Sequence, residues 1–363
     1  MHFRQVVVCA ALCVGAGGLS VGAQQSAAAA AAGQGKPEAT LSVTAKLVNL
    51  PVVVRDKKGA LVQNLTKADF ALSVDGHPAT IRYFDKDNNL PLTLGLLVDT
   101  SGSVRSALEE ERTASEDFLD QMVTARDQAF VIQFAHEADL LQDVTSSQQK
   151  LRAALDQIGT NYGEGQNGQD SGGGGGYGGY GRHGGHRGGG TMLYDAIYLA
   201  SNQLMQKQQG RKALVVLTDG EDRGSMETLA SSVAAAQRAE TVVYAIYFKG
   251  EEHGYGGHGG YGGFGGRRGG GFPGGGGENH VDGKKVLEQI TGETGGRMFE
   301  VSGKQTFAAI YTQIAEELRS QYRLGYVPDA ATGTEGFHRV ELMVPKDKKL
   351  MVQTRNGYYG SGQ

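Results

Sequence analysis

The chain has 363 residues, 58 of them glycine, with a hydrophobic fraction of 39% and a formal charge of −4. That length accommodates one α/β domain of ordinary size with smaller attachments. The near-neutral charge leaves no electrostatic footprint for nucleic acid or for an anionic membrane surface.

Residues 1–23 read as a secretory signal peptide. Arg4 supplies a short basic start, residues 6–21 are apolar or small, and Val21-Gly22-Ala23 precedes a cut after Ala23. Gly15, Gly17, Gly18 and Ser20 weaken this run as a membrane span. Leu12 before Cys13 and Val8 before Cys9 do not fit a lipoprotein cut. Both cysteines fall inside the signal, so the exported chain is expected to gain no disulfide. No later apolar run is long enough to cross a bilayer, so the expected location is periplasmic or extracellular. Residues 24–40, rich in Ala, Gln and Gly, read as a disordered tether.

From Leu41 the pattern turns β-like: Leu41, Val43, Ala45 and Leu47 alternate with polar residues, and Val52 to Val54 precede a turn over residues 56–59. Thr66 with Asp69 is the signature of a helix start. Residues 70–74 and 80–84, joined through Asp75-Gly76, predict a hairpin. Residues 41–88 are thus expected to form a small β-rich module. Residues 92–98 are an almost unbroken apolar run, the mark of a strand covered on both faces. Helical periodicity follows through Leu108, Phe118, Leu119 and Met122. Then come strands over 129–134 and 138–141, and a helix from about Ser146. Beyond a glycine tract, residues 193–205 read as helix, 213–217 as strand, 226–238 as helix and 241–248 as strand. After a second tract, 286–294 and 306–319 read as helices. The alternation predicts an α/β fold with a doubly wound, mostly parallel sheet over residues 89–328. Residues 322–327 are expected to finish that sheet. Residues 329–363 are expected to form a C-terminal β-hairpin and tail, with 337–344 paired to 349–355 and the pair set against the N-terminal module.

The glycine tracts, 163–190 and 250–277, carry scattered Tyr, Phe, His and Arg. Such composition buries too little apolar surface to offset the entropy of ordering, so both are expected to be mobile insertions. His183 and His186 lack further ligands for a transition metal. By position the tracts rise from the carboxyl end of the sheet, where they would form an aromatic-dotted collar that screens or gathers partners.

Three separated segments carry chemistry. Asp99-Thr100-Ser101-Gly102-Ser103 leaves the first buried strand, Thr191 opens a helix, and Asp219-Gly220-Glu221-Asp222 leaves another buried strand. Each alone fits an ordinary turn, since turns favour these residues for backbone reasons. Together, in this order on buried strands, Asp99, Ser101, Ser103, Thr191 and Asp219 offer oxygen donors only, which suits Mg²⁺ with Mn²⁺ as an alternative. Glu221 and Asp222 read as solvated neighbours, and His136 as an ordinary loop residue.

These segments resemble the metal-ion-dependent adhesion site (MIDAS) of von Willebrand factor A (VWA) domains, with its Asp-x-Ser-x-Ser, distant Thr and distant Asp. The resemblance implies that Ser101, Ser103 and Thr191 contact the ion, with Asp99 and Asp219 acting largely through waters. Leu65-Thr66-Lys67-Ala68-Asp69-Phe70, Gln321-Tyr322-Arg323-Leu324-Gly325-Tyr326 and Asn356-Gly357-Tyr358-Tyr359 resemble the flanks of exported bacterial VWFA-related domain proteins. The implied function is Mg²⁺-dependent binding of a protein or surface ligand whose acidic residue completes the coordination shell. The alternative is a structural or assembly factor of the cell envelope in which the metal only stabilises the fold.

Enzyme chemistry fits poorly. Ser101 interrupts an aspartic-protease-like loop, and no second copy supplies a dyad. A phosphotransferase would place an acid where Ser101 stands, and no histidine is positioned as the base of a serine hydrolase. Neither an enzyme nor a nucleic-acid partner is expected.

Overall fold

The computed structural model describes residues 47–86, 90–160, 190–249, 282–329 and 332–360. The signal peptide, the tether and both glycine tracts therefore lie outside the described residues, apart from the tract's last residue, Gly190. Four short strands, β1 (Val48–Arg55), β2 (Ala71–Val74), β3 (His77–Ala79) and β4 (Ile81–Asp85), precede the first strand of the main sheet, β5 (Leu92–Asp99). Every residue of β5 is buried. A strand with no charged side chain before its last residue needs exactly such cover on both faces.

The cover comes from helices. α1 (Leu108–Met122) leads to β6 (Gln128–Phe134), β7 (Ala138–Thr145) and α2 (Gln148–Leu155). α3 (Leu193–Leu199) runs on through a π turn, Ala200–Leu204, and a 3₁₀ turn, Met205–Lys207. Then follow β8 (Arg211–Thr218), α4 (Leu229–Arg238), β9 (Val242–Tyr247), α5 (Gly283–Thr294), β10 (Met298–Glu300) and α6 (Phe307–Arg319). The six strands lie in the order β10-β9-β8-β5-β6-β7, all parallel except β7, which pairs antiparallel with β6. Leu94, Leu96 and Val98 pack with Phe118, Leu151 and Ile310 of α1, α2 and α6 on one face. Leu97, Phe130 and Leu214 pack with Ile197, Val233 and Ile290 of α3, α4 and α5 on the other. Fully burying each such Leu or Ile contributes about 1.5–3 kcal/mol. Gly95 lies where a side chain would strike Phe130 and Leu214, so the central strand is glycine there for lack of space.

The flanks differ from the sequence reading. Asp75 (φ 50°) and Gly76 (φ 79°) are both left-handed, which closes a two-residue hairpin directly into β3. The expected second arm, β4, leaves for another sheet. β11 (Tyr322–Tyr326) does not finish the main sheet: it pairs antiparallel between β1 and β4. β12 (Gly336–Met343) and β13 (Met351–Gln353) do not pair with each other. β12 lies between β2 and β14 (Gly357–Gly360), while β13 adds to β1. The result is two four-stranded antiparallel sheets, β13-β1-β11-β4 and β14-β12-β2-β3, each built from both ends of the chain. They share a core of Leu50, Val52, Leu72, Leu324 and Tyr358, in which the Tyr322 ring contacts Phe70 and Phe84 at centroid distances of 5.6 and 5.7 Å. The capping box of Thr66 and Asp69 forms, but over a single 3₁₀ turn, because Phe70 is drawn straight into this core.

Buried charges fasten the flanks to the main sheet. Glu317 of α6 pairs with Arg55 of β1 and, at 3.2 Å, with Arg297 ahead of β10. Arg355 donates to the carbonyls of Asn49 (2.6 Å) and Gln237 (3.3 Å). Between α1 and α6, Phe118 stacks on Tyr311 at 4.6 Å, and the fully buried Glu111 carboxyl accepts Ser115 Oγ (2.5 Å) and Tyr311 OH (3.1 Å) on Oε1.

Burial pushes the Glu111 carboxyl up to about 7, against the opposing hydrogen bonds from Ser115 and Tyr311. A group raised in the folded state stabilises most below its usual 4.5 and loses that contribution as pH rises through the folded value. Glu111→Gln should therefore flatten the fall in stability between pH 4.5 and 7, a change of about 3 kcal/mol. Urea melts of both proteins at pH 5 and pH 8 measure it; equal slopes with pH would refute it.

Candidate metal centre

The parallel pairing of β5 with β8 brings Asp99 and Thr218, the last residues of neighbouring strands, side by side. Asp99 is wholly buried, and both its oxygens are occupied: Oδ1 accepts Ser101 N–H at 2.8 Å and Oδ2 accepts Thr218 Oγ1–H at 2.6 Å. Burial raises this carboxyl to about 6; the hydrogen bonds from Thr218 and Ser101 oppose the rise, and the charge of Asp219 adds to it.

In front of Asp99 runs a chain of polar contacts. Ser101 Oγ meets Ser103 Oγ at 3.1 Å, and Ser103 Oγ donates to Asp219 Oδ2 at 2.5 Å. Asp219, 8% exposed, takes Glu221 N–H on Oδ1 at 3.0 Å. Four of the five sequence-predicted residues are thus joined by the backbone of one loop and the hydroxyl chain to the next. Thr191 is buried just ahead of α3. Its carbonyl accepts Arg223 N–H at 3.0 Å, which ties it to the Asp219 loop, but its hydroxyl is not hydrogen-bonded to the other four.

Several residues outside the predicted set position it. Gly190 N–H donates to His136 Nδ1 at 3.1 Å and Met192 N–H to the Ala135 carbonyl at 2.8 Å, so the end of β6 holds the Thr191 loop. His136 is therefore an anchor rather than a bystander. Asp222 is no solvated neighbour: Oδ1 accepts Ser225 Oγ–H (2.6 Å) and Tyr194 N–H (3.1 Å). Asp195 accepts the N–H groups of Met226 (3.1 Å) and Glu227 (2.8 Å). Two carboxylates thereby lock the loop after Asp219 to the first turn of α3. Gly220 (φ 77°) and Gly283 pack backbone to backbone, and a Cβ on either would strike the other loop. Gly190, the described end of the first glycine tract, and Gly283, the first residue of α5, consequently border the site.

The donor set decides which ion fits. Three hydroxyls and two carboxylates lie on these loops, and among the described residues no Lys, Arg or His pairs with Asp99 or Asp219. Nor do the described residues hold a cluster of three or more His, Cys, Asp or Glu side chains suited to a metal. Oxygen donors around uncompensated negative charge match a hard divalent cation, not a thiolate or imidazole site.

Two family models match, both described as von Willebrand factor type A domain, over residues 94–174 and 182–313, together more than half of the chain. Neither indicates a catalytic family. No curated protein matches the sequence. Solved structures with similar folds include proximal thread matrix protein 1 from the mussel byssus, 14% identical, covering 68% of this chain and 51% of that protein with a TM-score of 0.44. The same protein is also solved with a zinc-occupied MIDAS motif (14% identity, 68% and 49% covered, TM-score 0.42). The chain thus spans about half the length of the byssus protein. An aerotolerance-related membrane protein from Bacteroides fragilis NCTC 9343 is 16% identical, with 62% and 98% covered and a TM-score of 0.41. No helix among the described residues is long and apolar enough to cross a membrane. VWA domains bind proteins and often carry a MIDAS that takes a divalent metal, and by its matches and its six-stranded, mostly parallel sheet this chain belongs to the von Willebrand factor type A domain family.

Proposed function

We propose that this chain captures a protein or surface ligand through a divalent cation, Mg²⁺ first and Mn²⁺ second, held by Asp99, Ser101, Ser103, Thr191 and Asp219. The observation that carries the reading is the Ser101–Ser103–Asp219 chain in front of a buried Asp99, two carboxylates without a cationic partner among the described residues. Ser101, Ser103 and Thr191 would hold the ion, while Asp99 and Asp219 supply charge and orient the hydroxyls. The bound ion would contribute positive charge and a coordination position open to a carboxylate of the ligand. The signal-like residues 1–23 support action outside the cytoplasm.

The reading predicts metal-dependent capture. Pull-downs from envelope extract should enrich one protein or surface component in Mg²⁺ and lose it in EDTA. Asp219→Ala should abolish the capture while leaving the circular dichroism spectrum unchanged. Capture that survives EDTA refutes the proposal, and collapse of the fold in Asp219→Ala favours a purely structural ion.

Thr218 offers a separate check on the support behind the site. Thr218→Val leaves Asp99 Oδ2 buried without a donor, which costs roughly 1–3 kcal/mol of stability. Titration calorimetry of the same variant with Mg²⁺ should show weaker affinity than the parent. An unaltered affinity would mean that Thr218 plays no part in presenting Asp99.

A further inference from the structure

At the opposite, amino end of the sheet, a cavity of about 180 Å³ opens where the amino ends of β8 and β9 meet β1 and β11. Its apolar lining includes Pro51 and Leu90, which are accessible, and Leu50 and Val242, whose side chains are buried. Its charged lining is Arg211, Lys212 and Arg323 with the carboxylate Glu240. The charges are not equivalent. Arg323 is neutralised by Asp85 at 2.5 Å, and Glu240 accepts the Asn49 amide at 3.3 Å. Lys212 Nζ donates to the Gln208 carbonyl at 3.4 Å. Arg211 has only neutral partners, with Nε on the Leu90 carbonyl (3.1 Å) and Nη1 on the Leu318 carbonyl (3.0 Å). No carboxylate lies within ion-pair reach of it among the described residues, and the Arg323 guanidinium is close enough to oppose its charge. Burial accordingly draws the Arg211 guanidinium below its ordinary value, with Asp127 acting in the other direction.

Glu240, on the cavity wall, follows the C-terminus of α4 in a left-handed conformation (φ 53°), with Thr241 N–H bonded to the Ala236 carbonyl at 2.9 Å, so its backbone is set by the end of the helix. Its carboxylate on the wall disfavours a doubly charged anion such as phosphate more than a singly charged one.

We infer that this cavity is a second binding site, distinct from the candidate metal centre, for a small apolar carboxylate whose charged end meets Arg211 and whose body lies against Leu90 and Pro51. The cavity admits a molecule the size of benzoate.

Benzoate is the probe, titrated calorimetrically into the full chain in EDTA so that no metal-bound carboxylate contributes. Saturable one-to-one binding is expected. Benzyl alcohol, which lacks the charge, and inorganic phosphate, which lacks the apolar body, should each bind at least about tenfold more weakly. Arg211→Gln should weaken benzoate about tenfold. Because Arg211 also bonds two carbonyls and its loss can unsettle the fold, Leu90→Glu is the second variant. It places a negative charge at a partly exposed wall position and should weaken benzoate to a similar degree. Absence of saturation, or benzoate affinity unchanged in both variants, overturns the site. Phosphate binding as tightly as benzoate overturns the assignment to an apolar carboxylate. Asp219→Ala should leave benzoate binding intact, which separates this site from the metal reading.

Discussion

A carboxylate with no access to water sits at the carboxyl end of the central strand, and much of the molecule is arranged around its demands. Desolvating an ionised carboxylate is expensive unless each oxygen finds a donor. Asp99 finds one in the Ser101 amide and another in the Thr218 hydroxyl, so the turn after β5 and the end of β8 must both be in place before the group is satisfied. That requirement is topological: Thr218 reaches Asp99 only because β8 is the parallel neighbour of β5. Once Asp99 is fixed, the loop after it delivers Ser101 and Ser103 to Asp219, and two carboxyl groups converge with no cationic side chain paired to either among the described residues. On the proposed reading, free energy left in such a cluster would favour a bound cation.

The surrounding loops keep that cluster from relaxing. His136 holds the Thr191 loop from the β6 side, and Asp195, Asp222 and Ser225 zip the loop after Asp219 to α3. The network is braced because each carboxylate accepts at least two donors and Ser225 Oγ both donates to Asp222 and accepts from the Tyr194 and Asp195 amides, so no single rotation frees it. The flanking sheets perform the corresponding task at the other end. Strands from both termini interleave there, and the Arg55–Glu317–Arg297 cluster fixes them to α6. Breaking a buried cluster of this kind by removing one partner typically costs about 3–5 kcal/mol.

The parts of this architecture that were legible in the sequence are those governed by local pattern. Residues 92–98 announce a doubly covered strand because they contain no charge. The candidate metal donors stand out because an acid follows, within two residues, each of two buried apolar runs, residues 92–98 and 213–217, with hydroxyls beside them. What pattern does not carry is which strand pairs with which. Residues 322–326 look like any buried strand, and only the β1 partner, some 270 positions away, makes them part of a flanking sheet. The early hairpin depended on one dihedral detail, the left-handed Asp75, which moves the returning strand forward to His77. Thr218 carried a readable signal, a hydroxyl at the last position of a strand beside an acid-terminated one. His136 carried none, since its partner is a backbone amide whose position exists only in the fold, and Asp222 offered only its local spacing to Ser225, its other Oδ1 partner being the distant Tyr194 amide.

The two ends of the sheet solve opposite electrostatic problems, and this explains why they are built from different material. At the carboxyl end, helices α1, α3 and α5 begin, and their free amides favour negative groups. Carboxylates can therefore gather there, and the ion they attract is a cation. At the amino end helices finish, and their terminal carbonyls repel anions. The Leu318 carbonyl, in the last turn of α6, is one of these, and Arg211 caps it. An anion can be held at this end only by side-chain cations that exceed what the carbonyls consume. Arg211, on the first residue of the strand that ends in Thr218, supplies that excess without a carboxylate of its own. A single rigid strand thus carries a cation at one end and the support of an acidic centre at the other, and the charge each end presents is set by the direction in which the helices run.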